Sequence, residues 1–139
     1  MNQTIQEKNK ELVLEAFDTL FNKRDYAAAE KFWSPDYIQH SAHIEPGRDG
    51  LFNLIRNAPD TLRYEHQLIV AESDYVIIHG RFSGHGPPVA WIAADIVSGS
   101  RTAVLLNTGT FCKMRQQKLN RKAACQCLAK SFQQKEKLR

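Results

Sequence analysis

The sequence has no apolar run close to the roughly 20 residues that a membrane-spanning helix requires. Its first ten residues are polar and of mixed charge, and so lack the apolar core of a signal peptide. We therefore expect a cytoplasmic protein with no membrane partner. The length of 139 residues suffices for one domain with a sizeable core, and it requires no second domain.

Acidic side chains are nearly absent from the last part of the chain. Residues 98–139 contain ten Lys and Arg but one acid, Glu136, whereas residues 1–97 contain nine basic and 14 acidic side chains. The charge balance changes from −5 to +9, so two compositions meet at about Val97. Residues 113–139 are expected to form a frayed basic helix or a disordered tail. Nucleic-acid binding through this tail is disfavoured, because it holds one aromatic residue and no recognition motif.

Cysteines are few and poorly spaced for metal binding. All three lie in the basic part, at Cys112, Cys125 and Cys127. The last two have neither the two-residue gap nor the nearby histidines of a zinc site. We interpret them as reduced thiols and predict no metal site.

The first half of the chain predicts three helices. Apolar residues recur at helical spacing between about Thr4 and Asn22, which indicates one amphipathic helix. Asp25 is a suitable N-cap for a shorter helix from Tyr26 to Phe32. A third helix is expected from Asp49 or Gly50 to Asn57, after a Pro-Gly turn.

Two histidines and a tyrosine lie on the connection between the second and third predicted helices. Tyr37 to His40 is expected to be a short extended piece, and His43 follows in the loop. Loops of this kind often line sites, although surface histidines are common. Tyr37 and His40 are therefore candidates for a pocket, and a surface position is the alternative.

After Pro59-Asp60 the apolar period changes to two, which predicts antiparallel strands. The first strand covers about residues 62–70, and its alternation places His66 with the apolar side chains. His66 is therefore expected to point inward, and a buried histidine that only satisfies a backbone carbonyl is the alternative. Tyr75 to Ser83 forms the second strand. Its face bearing His79 is partly apolar, which would suit an oligomer contact.

Asp95 is the one carboxylate in the most strand-like run of the sequence, Val89 to Val97. An ionised Asp among apolar neighbours is costly unless it is paired or hydrogen-bonded. It is therefore either a satisfied structural group or a functional acid. Arg101 to Phe111 follows, with enough β-propensity for one more strand.

Four segments together resemble one known family. They are Asp36-Tyr37-Ile38-Gln39-His40, Pro46-Gly47-Arg48-Asp49-Gly50, Asp74-Tyr75-Val76-Ile77-Ile78-His79-Gly80 and Ala94-Asp95-Ile96-Val97. Over roughly residues 5–97 they resemble the SnoaL-like polyketide cyclases of the nuclear-transport-factor-2-like (NTF2-like) superfamily. The resemblance implies an α+β cone, in which three N-terminal helices pack on a curved, mostly antiparallel sheet. The domain would cover residues 1–112, with 98–112 as an atypical last strand and 113–139 as the tail.

The resemblance also implies an enzyme that uses acid/base catalysis on a small carbonyl compound, with no cofactor and no metal. In the cyclases a proton is removed next to a carbonyl, and the enolate closes a ring by aldol condensation. Asp95 would be the acid/base, His40 and Tyr37 would be donors with His66 as a further one, and Trp91 would form an apolar wall. A homodimer packed through the sheet is also implied. A non-catalytic small-ligand-binding or dimerisation module is the alternative.

The resemblance stops near Val97, where the family continues into a last strand carrying Glu-His-Trp-Asp-Val. This chain has Asn107-Thr108-Gly109-Thr110-Phe111 instead. Those residues can be encoded as AAC ACT GGG ACG TTT, and the same bases read one base earlier, after a G, give Glu-His-Trp-Asp-Val. We therefore hypothesise that the segment after about Val97 is a frameshifted reading of the family's C-terminus, which would impair the enzyme. A gene whose alternative frame lacks Glu-His-Trp-Asp would contradict this hypothesis.

Overall fold

The computed structural model describes residues 3–99 and 105–115, so most of the predicted tail, from residue 116 onward, lies outside the described residues. The helices are α1 (Ile5–Phe17), α2 (Tyr26–Ala29) and α3 (Gly47–Arg56), and the strands are β1 (Trp33–Gln39), β2 (Arg63–Glu72), β3 (Tyr75–Ser83), β4 (Trp91–Gly99) and β5 (Leu105–Arg115). The predicted α+β class is confirmed. No helix in the described part of the chain is both long enough and apolar enough to cross a membrane.

The first helix begins where the sequence supplies a capping box. The Thr4 hydroxyl accepts a hydrogen bond from the Glu7 N–H at 3.2 Å, and the Glu7 carboxylate accepts one from the Thr4 N–H at 2.8 Å. These bonds satisfy amide groups that a helix start leaves unpaired. After α1 the chain widens into a π-helical segment, Asp18–Lys23, which Arg24 ends in the left-handed conformation at φ 56°.

The bounds of α2 and α3 differ from the predicted ones for local reasons. α2 ends at Ala29, but the N–H groups of Lys31 and Phe32 still bond to carbonyls three residues earlier. The last part of the predicted helix is therefore a tighter turn. α3 begins at Gly47, before the predicted start at Asp49 or Gly50, and the positive φ of 77° at Gly47 suits glycine.

The five described strands form one sheet in the order β1-β5-β4-β3-β2. All neighbouring pairs among them are antiparallel except β1–β5, which is parallel. β1 starts at Trp33, four residues before the predicted extended piece, and includes Pro35. Proline is tolerated there because β1 is an edge strand, which has hydrogen-bonding groups that face no neighbour. β4 begins and ends two residues later than predicted, and β5 continues to Arg115, past the expected domain boundary at 112.

The hydrophobic core lies between the helices and the inner face of the sheet. Trp33, Phe52, Leu20 and Ile78 are among its largest fully buried side chains. The Trp33 ring packs against Phe17 of α1 and Phe52 of α3, with centroid distances of 6.5 and 5.9 Å. One side chain thus joins the edge strand β1 to two helices.

The prediction that His66 points inward is wrong, because His66 is exposed in β2, beside a β-bulge. His66 and Leu68 pair with two consecutive residues of β3, so Gln67 is an additional residue in β2. The bulge shifts the alternation of side chains by one position. Before it Tyr64 is buried, whereas after it Leu68 is 57% exposed and Ile69 packs against the core. His66 itself is exposed.

Candidate functional site

A cavity of about 320 Å³ opens between the helices and the inner face of the sheet. Aromatic and aliphatic side chains of α1, β1, α3, β3 and β4 form most of its walls. The polar side chains in its lining, apart from tryptophan, are Tyr37, Gln39, Asn57, His85 and Asp95. An apolar pocket of this size with a few polar groups is typical of a small-molecule site.

Asp95 is the carboxylate in this cavity. Ala93, Asp95 and Val97 alternate as buried residues along β4, which places Asp95 on the inner face of the sheet at 5% exposure. β4 is the middle strand, and Asp95 pairs with Ile78 of β3 on one side and Thr110 of β5 on the other. A buried acid at the centre of an apolar pocket is a candidate for proton transfer.

Tyr37 is held in the lining of the cavity by a hydrogen bond within its own strand. The Gln39 Nε2 donates to Tyr37 Oη at 3.0 Å, and Gln39 Oε1 accepts from the Ser41 N–H at 3.0 Å. This bond fixes the position of the phenol oxygen in the lining.

His85 lines the cavity, and the sequence reasoning missed it because it lies in a segment that reads as a Gly- and Pro-rich turn. Its ring meets the Trp91 ring edge to face at a centroid distance of 4.1 Å. Both ring nitrogens are buried and have no hydrogen-bond partner among the described residues. A histidine between two glycines, directly before the strand that carries Asp95, is the signal that could have identified it.

The two glycines beside His85 both have positive φ, 69° at Gly84 and 115° at Gly86. A Cβ on Gly84 would lie 1.9 Å from the Thr61 carbonyl oxygen. The Thr61 hydroxyl also donates to the Gly84 carbonyl at 2.6 Å. The loop that carries His85 therefore starts from a close backbone contact that suits only glycine.

The structure brings three of the five predicted site residues together. Tyr37, Trp91 and Asp95 line the cavity, whereas His40 and His66 are exposed and do not line it. His40 lies just beyond the end of β1, and His66 lies in β2 beside the bulge. Within the described residues, no group of three or more His, Cys, Asp or Glu could hold a metal ion.

Tyr64 is a second buried phenol near Asp95. Burial raises the pKa of Tyr64 well above its usual range, and the negative charge of Asp95 raises this pKa further. Gly80 of β3 makes room for the ring, since a Cβ there would lie 2.7 Å from Tyr64 Oη. Tyr64 Oη has no hydrogen-bond partner in the described part of the chain.

Replacing Tyr64 with Phe is expected to leave the free energy of unfolding at pH 7 unchanged or to raise it by about 1 kcal/mol, because a buried hydroxyl without a partner is removed. The raised pKa of Tyr64 also means that the unfolded chain releases this proton more readily than the folded protein does. Tyr64 therefore contributes its full share to the free energy of unfolding below about pH 10. This share is lost as the pH rises further, because the unfolded chain then loses the phenol proton while the folded protein keeps it. The Phe variant should therefore lose less stability than the original protein between pH 7 and about pH 11.

Denaturant unfolding of both proteins at the two pH values measures these effects. A loss of more than about 1 kcal/mol at pH 7 would instead show that the hydroxyl makes a favourable bond.

The family model described as the SnoaL-like domain matches residues 13–119, which extends through β5 and beyond the expected limit near Val97. One similar solved structure is AclR, a candidate hydroxylase from Streptomyces galilaeus, which is 24% identical over 78% of this chain and 80% of that chain, with a TM-score of 0.63. A candidate ketosteroid isomerase from Kribbella flavida is 14% identical over 86% of this chain and 89% of that chain, with a TM-score of 0.67. A candidate SnoaL-like polyketide cyclase from Jannaschia sp. is 19% identical over 80% of this chain and 89% of that chain, with a TM-score of 0.60. At these identities the likeness shows a shared fold. No curated protein matches the chain.

Proposed function

The chain belongs to the SnoaL-like domain family, and on this basis we propose that it is an acid/base enzyme that acts on a small carbonyl compound without a cofactor. The observation that carries the proposal is Asp95, buried in an apolar cavity that also contains Tyr37 and His85. A carboxylate is a suitable base for a carbon acid when donors nearby stabilise the enolate. The apolar walls exclude water from the reacting atoms.

The proposed reaction uses Asp95 as the acid/base and Tyr37 or His85 as the hydrogen-bond donor. The Asp95 carboxylate removes a proton from the carbon next to a carbonyl, the electron pair of that C–H bond forms a C=C bond, and the π pair of the C=O bond moves onto the carbonyl oxygen. Tyr37 or His85 donates a hydrogen bond to this enolate oxygen. The enolate carbon then attacks a second carbonyl of the same molecule, and the new alkoxide takes the proton back from Asp95. The reaction is an aldol closure with no net loss of atoms.

His85 takes the donor role in this proposal that the sequence analysis assigned to His40. His85 lines the cavity with its nitrogens buried, whereas His40 is exposed. Trp91 supports the imidazole through their edge-to-face contact and forms part of the apolar wall.

The register of β4 and β5 bears on the frameshift hypothesis. In the alternative frame the Asp of Glu-His-Trp-Asp falls at position 110, and position 110 pairs with Asp95. Residues paired directly across antiparallel strands have Cβ atoms about 5 Å apart. The hypothesised frame would therefore pair that Asp with Asp95, and we propose that Thr110 in its place weakens the activity.

Hydrogen exchange next to a carbonyl tests the proposal without knowledge of the natural substrate. NMR would follow deuterium incorporation at the α carbons of 2-tetralone and of a panel of similar apolar ketones in D₂O. We expect an acceleration over buffer of at least about 100-fold for one or more of them. Binding without acceleration across the whole panel would favour the alternative, a non-catalytic small-ligand-binding module.

We also propose a homodimer that packs through the outer face of the sheet. Four large apolar side chains on this face of β2 and β3 are exposed, namely Leu68, Val70, Tyr75 and Ile77. Val70 and Ile77 pair directly across the two strands, so the exposed residues form one patch. A contiguous apolar patch of this kind is typical of a protein contact.

Replacing Ile77 with Lys is expected to convert the dimer to a monomer, because a charge would be placed in the centre of the apolar patch. Light scattering coupled to size-exclusion chromatography measures the mass. Ile5→Lys is the matched control, since Ile5 is also exposed but lies at the start of α1, and it should remain dimeric. A monomeric original protein, or a dimeric Ile77→Lys variant, would contradict the proposed interface.

A further inference from the structure

Trp33 carries a polar atom that the proposed acid/base chemistry does not use. The residue is 1% exposed, and its indole Nε1 has no hydrogen-bond partner among the described residues. Leaving a buried donor without an acceptor costs roughly 1–3 kcal/mol. Trp33 also lines the cavity that contains Asp95.

Packing alone does not require an indole at this position. The contacts of the Trp33 ring with Phe17 and Phe52 are aromatic ring contacts, which a phenyl ring also makes. Buried tryptophans usually bond their N–H group, so an unbonded one in a cavity wall suggests a partner that arrives with the ligand. No Lys or Arg is present among the described residues of the cavity lining, so nothing charged there would recognise an anion.

We propose that the Trp33 Nε1–H donates a hydrogen bond to an uncharged oxygen of the ligand, and that Trp33 thereby selects ligands with a second acceptor. Trp33 and Tyr37 are different side chains of β1, which is irregular between Trp33 and Ile38. The two donors therefore bond to different oxygens of the ligand. The site takes an apolar compound with two oxygen acceptors, one at Asp95 and Tyr37 and the other at Trp33. This assignment rests on the proposed function only in placing the reacting carbonyl at Asp95.

Matched ligands that differ in one oxygen test the proposal by binding alone. The probes are 5-, 6- and 7-methoxy-2-tetralone, each compared with the ethyl analogue in which a CH₂ group replaces the ether oxygen. Dissociation constants are measured by calorimetry for the original protein and for Trp33→Phe. The preference is the dissociation constant of the ethyl analogue divided by that of the methoxy probe. For at least one of the three ring positions, we expect this ratio to be about fivefold or more lower in Trp33→Phe than in the original protein, in line with the loss of one hydrogen bond. An unchanged preference at all three positions would overturn the proposal.

A spectroscopic measurement on the original protein covers the case in which Trp33→Phe does not fold. The sequence contains two tryptophans, so the indole N–H region of a ¹H–¹⁵N spectrum has two signals, which Trp91→Phe assigns. The Trp33 indole proton should move downfield with a methoxy probe and not with its ethyl analogue. Equal shifts with both probes would overturn the proposal.

The outcome is separable from that of the proposed function. A methoxy preference that depends on Trp33, together with no α-proton exchange, would show a binding site without chemistry. Exchange that depends on Asp95, together with an unchanged methoxy preference in Trp33→Phe, would show that Trp33 serves packing alone.

Discussion

Asp95→Asn is expected to lower the rate of α-proton exchange in 2-tetralone, or in the best ketone of the panel, by about 10²- to 10⁴-fold. The amide has nearly the same shape as the carboxylate but cannot accept the proton. Asp95 is 5% exposed in an apolar cavity, so bulk water has little access to replace it. The affinity for the ketone should change much less than the rate, because the walls of the cavity are intact. NMR gives the exchange rate and calorimetry gives the affinity.

Asp74→Asn is the matched control for Asp95→Asn. Asp74 undergoes the same chemical change, but it is exposed in the turn between β2 and β3 and does not line the cavity. Its exchange rate should equal that of the original protein. If Asp95→Asn also retained the full rate, Asp95 would not be the acid/base and the proposed mechanism would fail.

Gly84→Ala is expected to destabilise the folded protein by about 2–4 kcal/mol and to impair exchange as well. The left-handed conformation at φ 69° costs an alanine about 1–2 kcal/mol, and the new Cβ would lie 1.9 Å from the Thr61 carbonyl oxygen. The backbone must therefore shift, which adds to the cost and moves the adjacent His85 from its contact with Trp91. Denaturant unfolding measures the stability, and the 2-tetralone assay measures the effect on catalysis.

Gly86→Ala separates the backbone strain from the steric clash. Gly86 also has a positive φ, 115°, but a Cβ there meets no atom within 4 Å. Its substitution should therefore carry only the conformational cost, of order 1–3 kcal/mol, with no displacement of Thr61. Equal exchange rates in Gly84→Ala and Gly86→Ala would show that the contact between Gly84 and Thr61 does not position His85.

The order and type of most elements could be predicted because their signals are local. Thr4 and Glu7 form a capping box, the apolar period changes to two after Asp60, and β3 spans Tyr75 to Ser83 as predicted. Differences arose where neighbours in the fold decide a boundary. Pro35 interrupts a strand in the sequence, but the edge position of β1 tolerates it.

Histidines were the least predictable part of the candidate site. His66 alternates with apolar residues in sequence, but it is exposed in the fold, and the register against β3 inserts Gln67 directly after it as a bulge. His85 lies in a turn-like segment with no periodicity, and only the packing of that loop against Trp91 places it in the cavity. Neither the bulge nor the loop path follows from local propensity.

The sequence by itself determined the α+β order of elements and the strand that carries Asp95, because periodicity is a property of short segments. The resemblance of four short motifs to one family implied a site with Tyr37, Trp91 and Asp95. Only the tertiary structure decided that His85 joins them, that His66 does not, and that the Trp33 indole lies buried in the cavity wall without an acceptor among the described residues. These facts depend on strand register and on packing between distant segments, which no short segment encodes.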